Sequence, residues 1–257
     1  MIDWDDAFDN SSYVPGSDTL PARWAAEAAA FRDQTGELDI PYGDAPRNRM
    51  DLFRPDGACK GLVVFIHGGY WHKLDKSYWS HLARGPLSQG WAMAIPSYTL
   101  APEARLTVIA QEITEAVNAA AGQVAGPVRL IGHSAGGHLV SRLACADSAV
   151  TTRLDRVLSV SGIHDLRPLL HTQMNAVLGL DAAEAEAESP ALHKPRQGVQ
   201  AHFWVGALER PELIRQTRLI AEAWQAPNSY EPEQDHFSVI EGLGRPQAPL
   251  LRVLLEG

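Results

Sequence analysis

The strongest constraint on this chain is the pentapeptide Gly132-His133-Ser134-Ala135-Gly136. It is set between an apolar run, Val128-Arg129-Leu130-Ile131, and a helix-like run from His138 to Ala144. A serine flanked in this way, entered from a strand and left by a helix, has the context of a nucleophile elbow. The turn leaves no room for side chains beside Ser134. Glycine at 132 and 136 lets the backbone pass closely, and the hydroxyl is pushed out at the end of the strand. A strand that runs through a sharp turn into a helix is also the unit from which helix-covered parallel sheets are built.

The sequence around the elbow keeps that rhythm. Apolar runs at Leu62–Ile66, Trp91–Ile95, Val128–Ile131, Arg156–Val160 and Ala201–Val205 alternate with helical stretches near 77–89, 107–124 and 136–145. Short apolar runs alternating with longer helical ones predict an α/β protein with a mostly parallel, doubly wound sheet and helices on both faces. Upstream, Glu37–Tyr42 and Met50–Arg54 are separated by Gly43-Asp44-Ala45-Pro46 and read as an antiparallel pair at a sheet edge. Residues 1–35 read as an arm followed by a helix. Residues 1–20 are polar and turn-rich and are expected to lie on the surface; the helix then starts near Pro21, with Trp24, Ala28 and Phe31 at helical spacing. Residues 165–198, with Pro168, Pro190, Pro195 and the helical stretch Asp181 to Glu188, are too long for a plain connection and predict a small cap insertion over the site.

Composition sets the class of partner. The 257 residues, 45% hydrophobic and 21% charged, suffice for the core of one domain spanning 1–257. Lys and Arg number 22 against 31 Asp and Glu, a net charge of −9, which offers no basic surface to nucleic acid or an anionic membrane. A small molecule is the expected partner, and a homodimer is left open. Met1-Ile2-Asp3-Trp4-Asp5-Asp6 is acidic where a secretory signal is basic and then apolar, so a cytoplasmic location is expected. Cys59 and Cys145 lie far apart and outside any C-x-x-C spacing, so both are expected to be reduced.

Acyl transfer through a serine needs a base, a carboxylate to hold the base, and donors for the oxyanion. With Ser134 as nucleophile, the chain order Ser, acid, His that accompanies this elbow places the base near the C-terminus. His236 fits, following the polar, turn-like stretch Asn228 to Gln234 and preceding a terminal helix. The acid is expected just beyond Ala201–Val205. Glu209 is the first carboxylate there and Glu212 follows a turn later; Asp165, which ends an earlier strand, is the rival, and Asp235 adjoins the base but should point away from it. His67-Gly68-Gly69 ends the first parallel strand, so the oxyanion donors are expected to be the amides of Gly69, Tyr70 and Ala135, with His67 as a scaffold. His133 and His138 flank the elbow without H-E-x-x-H or nearby carboxylate spacing, so no metal is expected. Tyr70 and Trp71 are candidate substrate-binding walls, crowding long acyl chains while leaving room for a formyl group.

His-Gly-Gly-Tyr-Trp at 67–71 resembles the signature of the α/β-hydrolase kynurenine formamidases, or arylformamidases. Three further stretches are similar to that family, Ser97 to Glu103, Ser161 to Leu169 and Glu209 to Leu213, so the resemblance runs from about residue 45 to 240. It implies the α/β-hydrolase fold, Ser134, Glu209 and His236 as the triad, Gly69, Tyr70 and Ala135 near the oxyanion, and no cofactor. The implied reaction is hydrolysis of N-formylkynurenine to kynurenine and formate in tryptophan breakdown. Eukaryotic members usually carry aspartate where this chain has Glu209. The second reading is a broad carboxylesterase of small esters; the third, from a different class, is an inactive hydrolase fold that serves as a binding module.

Overall fold

The computed structural model describes residues 2–34 and 36–256. Its strands are β1 (Glu37–Pro41), β2 (Arg49–Phe53), β3 (Leu62–Ile66), β4 (Ala92–Pro96), β5 (Val128–His133), β6 (Leu154–Val160), β7 (Gln200–Gly206) and β8 (Asn228–Glu231). They form one eight-stranded sheet in the order β1-β2-β4-β3-β5-β6-β7-β8. β1 and β2 pair antiparallel and β2 pairs antiparallel with β4; every other neighbouring pair is parallel. This is the α/β-hydrolase fold.

The two-residue period of a strand explains how one sheet supports two cores. Leu62, Val64 and Ile66 of β3 enter one apolar cluster, whereas Val63 and Phe65 enter the other. The helices are α1 (Trp4–Phe8), α2 (Leu20–Arg32), α3 (Arg84–Ser88), α4 (Leu106–Ala121), α5 (Ala135–Leu143), α6 (Asn175–Leu178), α7 (Ala182–Ala187), α8 (Pro211–Trp224) and α9 (Pro249–Leu255). The first cluster takes Ile109, Ile113 and Val117 of α4, Leu139 and Val140 of α5, and Ile220 of α8. The second takes Trp24 and Phe31 of α2 and Leu250, Leu251 and Leu254 of α9. None of these helices is long and apolar enough to cross a membrane.

Four expectations change. The helix near 77–89 is two 3-10 turns, Lys76–Tyr78 and Ser80–Ala83, leading into the short α3; Gly85 and Pro86 leave little uninterrupted helix to propagate. The turn-like stretch before His236 contains β8, a polar edge strand that a hydrophobic pattern does not reveal. Residues 1–20 are not merely laid on the surface, since they form α1 and bury Phe8 and Asn10. Finally, residues 165–198 send Leu166, Leu169, Leu178, Leu180 and Ala185 into the first core cluster, and no residue of the segment lines the cavity over Ser134. Its apolar side chains enter that cluster, and its turn Pro190–Leu192 packs against α5 and α8.

Candidate active site

The carboxyl ends of the parallel strands bring the site together, as open α/β sheets generally do. Ser134 follows β5, Glu209 lies three residues past β7, His236 follows β8, and Gly68, Gly69 and Tyr70 follow β3. The elbow depends on close backbone approach: a Cβ at Gly136 would lie 2.0 Å from the Ile66 carbonyl oxygen, and one at Gly132 would lie 2.1 Å from that of Gly136. Ser134 itself sits at φ 56°, ψ −118°, a conformation costly for a residue with a side chain, and its amide donates to the Val160 carbonyl at 2.8 Å.

The three sequence-predicted groups meet. His236 Nε2 lies 3.1 Å from Ser134 Oγ, and His236 Nδ1 donates to Glu209 Oε2 at 2.7 Å. With the Nδ1 proton committed to the carboxylate, Nε2 faces the serine as an acceptor. Glu209 is held from behind, its Oε1 accepting from Ser161 Oγ at 2.5 Å and from the Gly206 amide at 2.8 Å. Asp165 is elsewhere: it accepts from the Arg167 guanidinium at 2.9 Å. Asp235 Oδ1 accepts from the Phe237 and Ser238 amides, so it points away from the imidazole beside it in sequence.

The flanking histidines act as fixed, neutral scaffolding. His133 Nε2 donates to the His236 carbonyl at 2.7 Å, and burial drops its pKa to about 3, so it braces the base without adding charge. His67 donates from Nδ1 to the Gly68 carbonyl at 2.7 Å and stacks on Tyr98, with burial lowering its pKa to about 4. His138 donates from Nε2 to the Glu188 carbonyl at 2.7 Å and accepts from the Trp71 indole at 3.2 Å. Both ring nitrogens of His138 are thereby used, which leaves none for a metal.

The loop after β3 turns through three successive residues of positive φ, Gly69 at 109°, Tyr70 at 48° and Trp71 at 59°. The amides of Gly69, Tyr70 and Ala135 donate to no protein group among the described residues. They flank the serine and can serve a developing oxyanion. Trp71, expected as a substrate wall, is instead fully buried behind the loop with its ring edge on His138. Tyr70 does line the cavity.

That cavity has a volume of about 320 Å³, with Ser134, His236 and His133 at its base. Its aromatic walls are Tyr70, Trp24, Trp79 and Phe237, and the N-terminal segment adds Asn10, Ser11, Ser17 and Asp18. Sequence reasoning did not find the arm's part in the site. The available signal was Trp4 and Phe8, four residues apart and stacked on one face of α1, which marks a short helix with something to dock against. Ser161, in the Ser161-Gly162 step after β6, was quoted in the family resemblance without a role.

The sequence model of the BD-FAE family matches residues 50–190, more than half the chain and the whole stretch from β2 through the elbow. The chain belongs to the BD-FAE family. It is a serine hydrolase of the α/β-hydrolase fold. It is 28% identical to the kynurenine formamidase of Danio rerio, covering 85% of this chain and 80% of that one. It is 24% identical to the kynurenine formamidase of Drosophila melanogaster, over 79% and 72%. A crystal structure from Silicibacter sp., provisionally named a thioesterase, superposes with a TM-score of 0.95 at 45% identity over 99% of each chain. Esterase B from Lactobacillus rhamnosis shares the fold, with a TM-score of 0.65 at 21% identity over 92% of each chain.

Proposed function

We propose that this family member hydrolyses a formyl aryl amide of the N-formylkynurenine type. The observation that carries the reading is the cavity over Ser134, about 320 Å³ and walled by four aromatic side chains. That size and lining suit a compact aryl substrate better than a long acyl chain. Similarity to two kynurenine formamidases over most of each chain supports it.

Ser134 Oγ attacks the formyl carbon while His236 Nε2 takes the hydroxyl proton and Glu209 stabilises the imidazolium. The oxyanion is held by the amides of Gly69, Tyr70 and Ala135. As the tetrahedral adduct collapses, the C–N bond breaks, His236 protonates the departing aryl amine, and a formyl ester remains on Ser134. Water then attacks that ester, with His236 accepting its proton and returning it to Ser134 Oγ as formate leaves. Selectivity for formyl comes from the aromatic walls and not from Trp71.

A second reading, a general small-ester or thioester hydrolase, is favoured by the provisional name of the Silicibacter relative. A panel separates the two. N-formylkynurenine is assayed beside formyl, acetyl and butyryl esters and an acetyl thioester of one aryl leaving group, each corrected for intrinsic reactivity. The proposed function predicts that kcat/KM is highest for N-formylkynurenine and falls from formyl to butyryl. Equal or rising activity toward butyryl, or a preference for the thioester, would favour the second.

A further inference from the structure

Three successive residues of positive φ after β3 are costly where two of them carry side chains, and such a turn persists only when its surroundings hold it. Gly69 is held by its carbonyl, which accepts from the His72 and Lys73 amides at 3.1 and 2.9 Å. Trp71 is held at both ends: its carbonyl accepts from the Ala101 amide at 2.9 Å, and its buried indole donates to His138 at 3.2 Å. Tyr70, between them, makes no backbone–backbone hydrogen bond among the described residues, yet its amide is one of the three assigned to the oxyanion.

The side chain of Tyr70 is held at its hydroxyl instead, and the N-terminal arm does the holding. The hydroxyl donates its one proton to the Phe8 carbonyl at the end of α1. Burial pushes the Tyr70 pKa upward, so that proton stays in place. The hydroxyl oxygen then accepts from Asn10 Nδ2 at 2.8 Å. Both partners are fixed in turn: Phe8 is packed into the first core cluster, and Asn10 is only 4% exposed. Asn10 Oδ1 has no hydrogen-bond partner among the described residues, so burying this amide costs stability, and the contact it makes is the one to Tyr70. Asp6, which pairs with Arg210, lies outside this hold.

We propose that the N-terminal arm positions the oxyanion hole: by holding the Tyr70 hydroxyl, the Phe8 carbonyl and Asn10 keep the strained Tyr70 backbone in place and its amide aimed at the oxygen that becomes negative. This rests on the acyl-transfer reading above and adds to it a support that lies some sixty residues away in sequence. Asn10 is a positioning residue, acting through Tyr70. An oxyanion donor is worth most once charge has developed on the oxygen, so loss of the hold lowers kcat and leaves KM nearly unchanged.

The test removes the hold from either side. Tyr70→Phe deletes the hydroxyl and keeps the aromatic wall; Asn10→Leu deletes the donor and keeps its size. Steady-state kinetics on N-formylkynurenine and phenyl acetate is paired with inhibition by trifluoroacetophenone and by acetophenone. The two ketones are similar in size, but only the fluorinated one is readily attacked by Ser134 Oγ to a hemiketal, His236 taking the serine proton and the ketone oxygen becoming the oxyanion. Tyr70→Phe should lower kcat about tenfold with KM within about twofold, a part of the hundred- to thousandfold that loss of a whole oxyanion donor costs. It should weaken trifluoroacetophenone by a similar factor and acetophenone by less than about twofold. Asn10→Leu should show the same pattern at about threefold, and the double variant should be no worse than Tyr70→Phe alone, because both changes break one contact. The Asn10→Leu data decide the matter if Tyr70→Phe does not fold. A merely structural contact would lower the melting temperature and leave kcat and the trifluoroacetophenone affinity of folded protein within about twofold of the wild type; that result, a rise in KM alone, or losses that multiply in the double variant would overturn the assignment while leaving hydrolysis intact. No turnover of either substrate by the wild type would bring down the acyl-transfer reading, and this assignment with it.

Discussion

Ser134, His236 and Glu209 form a continuous hydrogen-bonded line, so each substitution should reveal a different part of it. Ser134→Ala is expected to lower kcat by on the order of a millionfold while leaving the melting temperature near that of the wild type. Glu209→Gln should lower kcat by roughly ten-thousandfold, because an amide neither stabilises the imidazolium nor enforces its tautomer. Asp165→Asn should stay within a few-fold, since Asp165 faces Arg167 and not the base. Steady-state kinetics on the three variants checks the order; greater damage from Asp165→Asn would move the acid. These residues were legible because their positions follow from strand ends, and strand ends follow from apolar runs. Trp71 was not legible. Whether a side chain in a loop faces the cavity or the core depends on backbone torsions, and positive φ at Tyr70 and Trp71 carries no signal in residue type.

Among the elements, the N-terminal arm makes the contribution least visible in sequence. It is fastened at three places: Tyr70 holds Phe8 and Asn10, Arg210 pairs with the Asp6 carboxylate while lying 3.5 Å over the Tyr13 ring, and the Gln173 amide donates to Asp5 Oδ1 at 2.7 Å. Arg210 follows Glu209 directly, yet Glu209 takes its support from Ser161 and Gly206, so the two functions separate. Arg210→Ala should therefore loosen the arm and raise KM about tenfold, with kcat changed much less, given the modest worth of a part-exposed ion pair and one cation–π contact. An equal fall in kcat with KM unchanged would show that Arg210 acts on the triad instead. The segment 165–198 was read as a cap because long, proline-broken insertions often are. Its leucines were the contrary evidence, marking it as a segment with core to cover. β8 escaped for the opposite reason, since Asn228-Ser229-Tyr230-Glu231 is polar and its strand character comes from pairing with β7.

At the scale of the molecule, the buried histidines tie stability to pH. Burial lowers the pKa of His67 and His138 to about 4 and that of His133 to about 3, and holds His164 well below 6.5. In the unfolded chain these groups titrate near ~6.5, so between that value and about 4 the unfolded state binds more protons than the folded one. Their contribution is complete above about pH 6.5 and is lost as the pH falls, by about 1.4 kcal/mol per pH unit for each histidine once the slope is full. Urea unfolding at pH 5 should take up roughly three to four protons through these four rings and about one more through His81, whose pKa burial also lowers to about 4, against few at pH 8. Uptake near zero at pH 5 would mean that these rings are charged when folded. The parallel sheet was legible because fully buried strands are written as unbroken apolar runs. The assembled cavity was not, since it joins residues from 10 to 237. The most direct test of the account is covalent capture of the nucleophile: the protein is treated with an aryl-sized fluorophosphonate, and the modified residue is located by peptide mass spectrometry alongside residual turnover. The account predicts one adduct, on Ser134, with activity lost in proportion to labelling and no adduct in Ser134→Ala. A stoichiometric adduct elsewhere, or full turnover by protein labelled at Ser134, would contradict it.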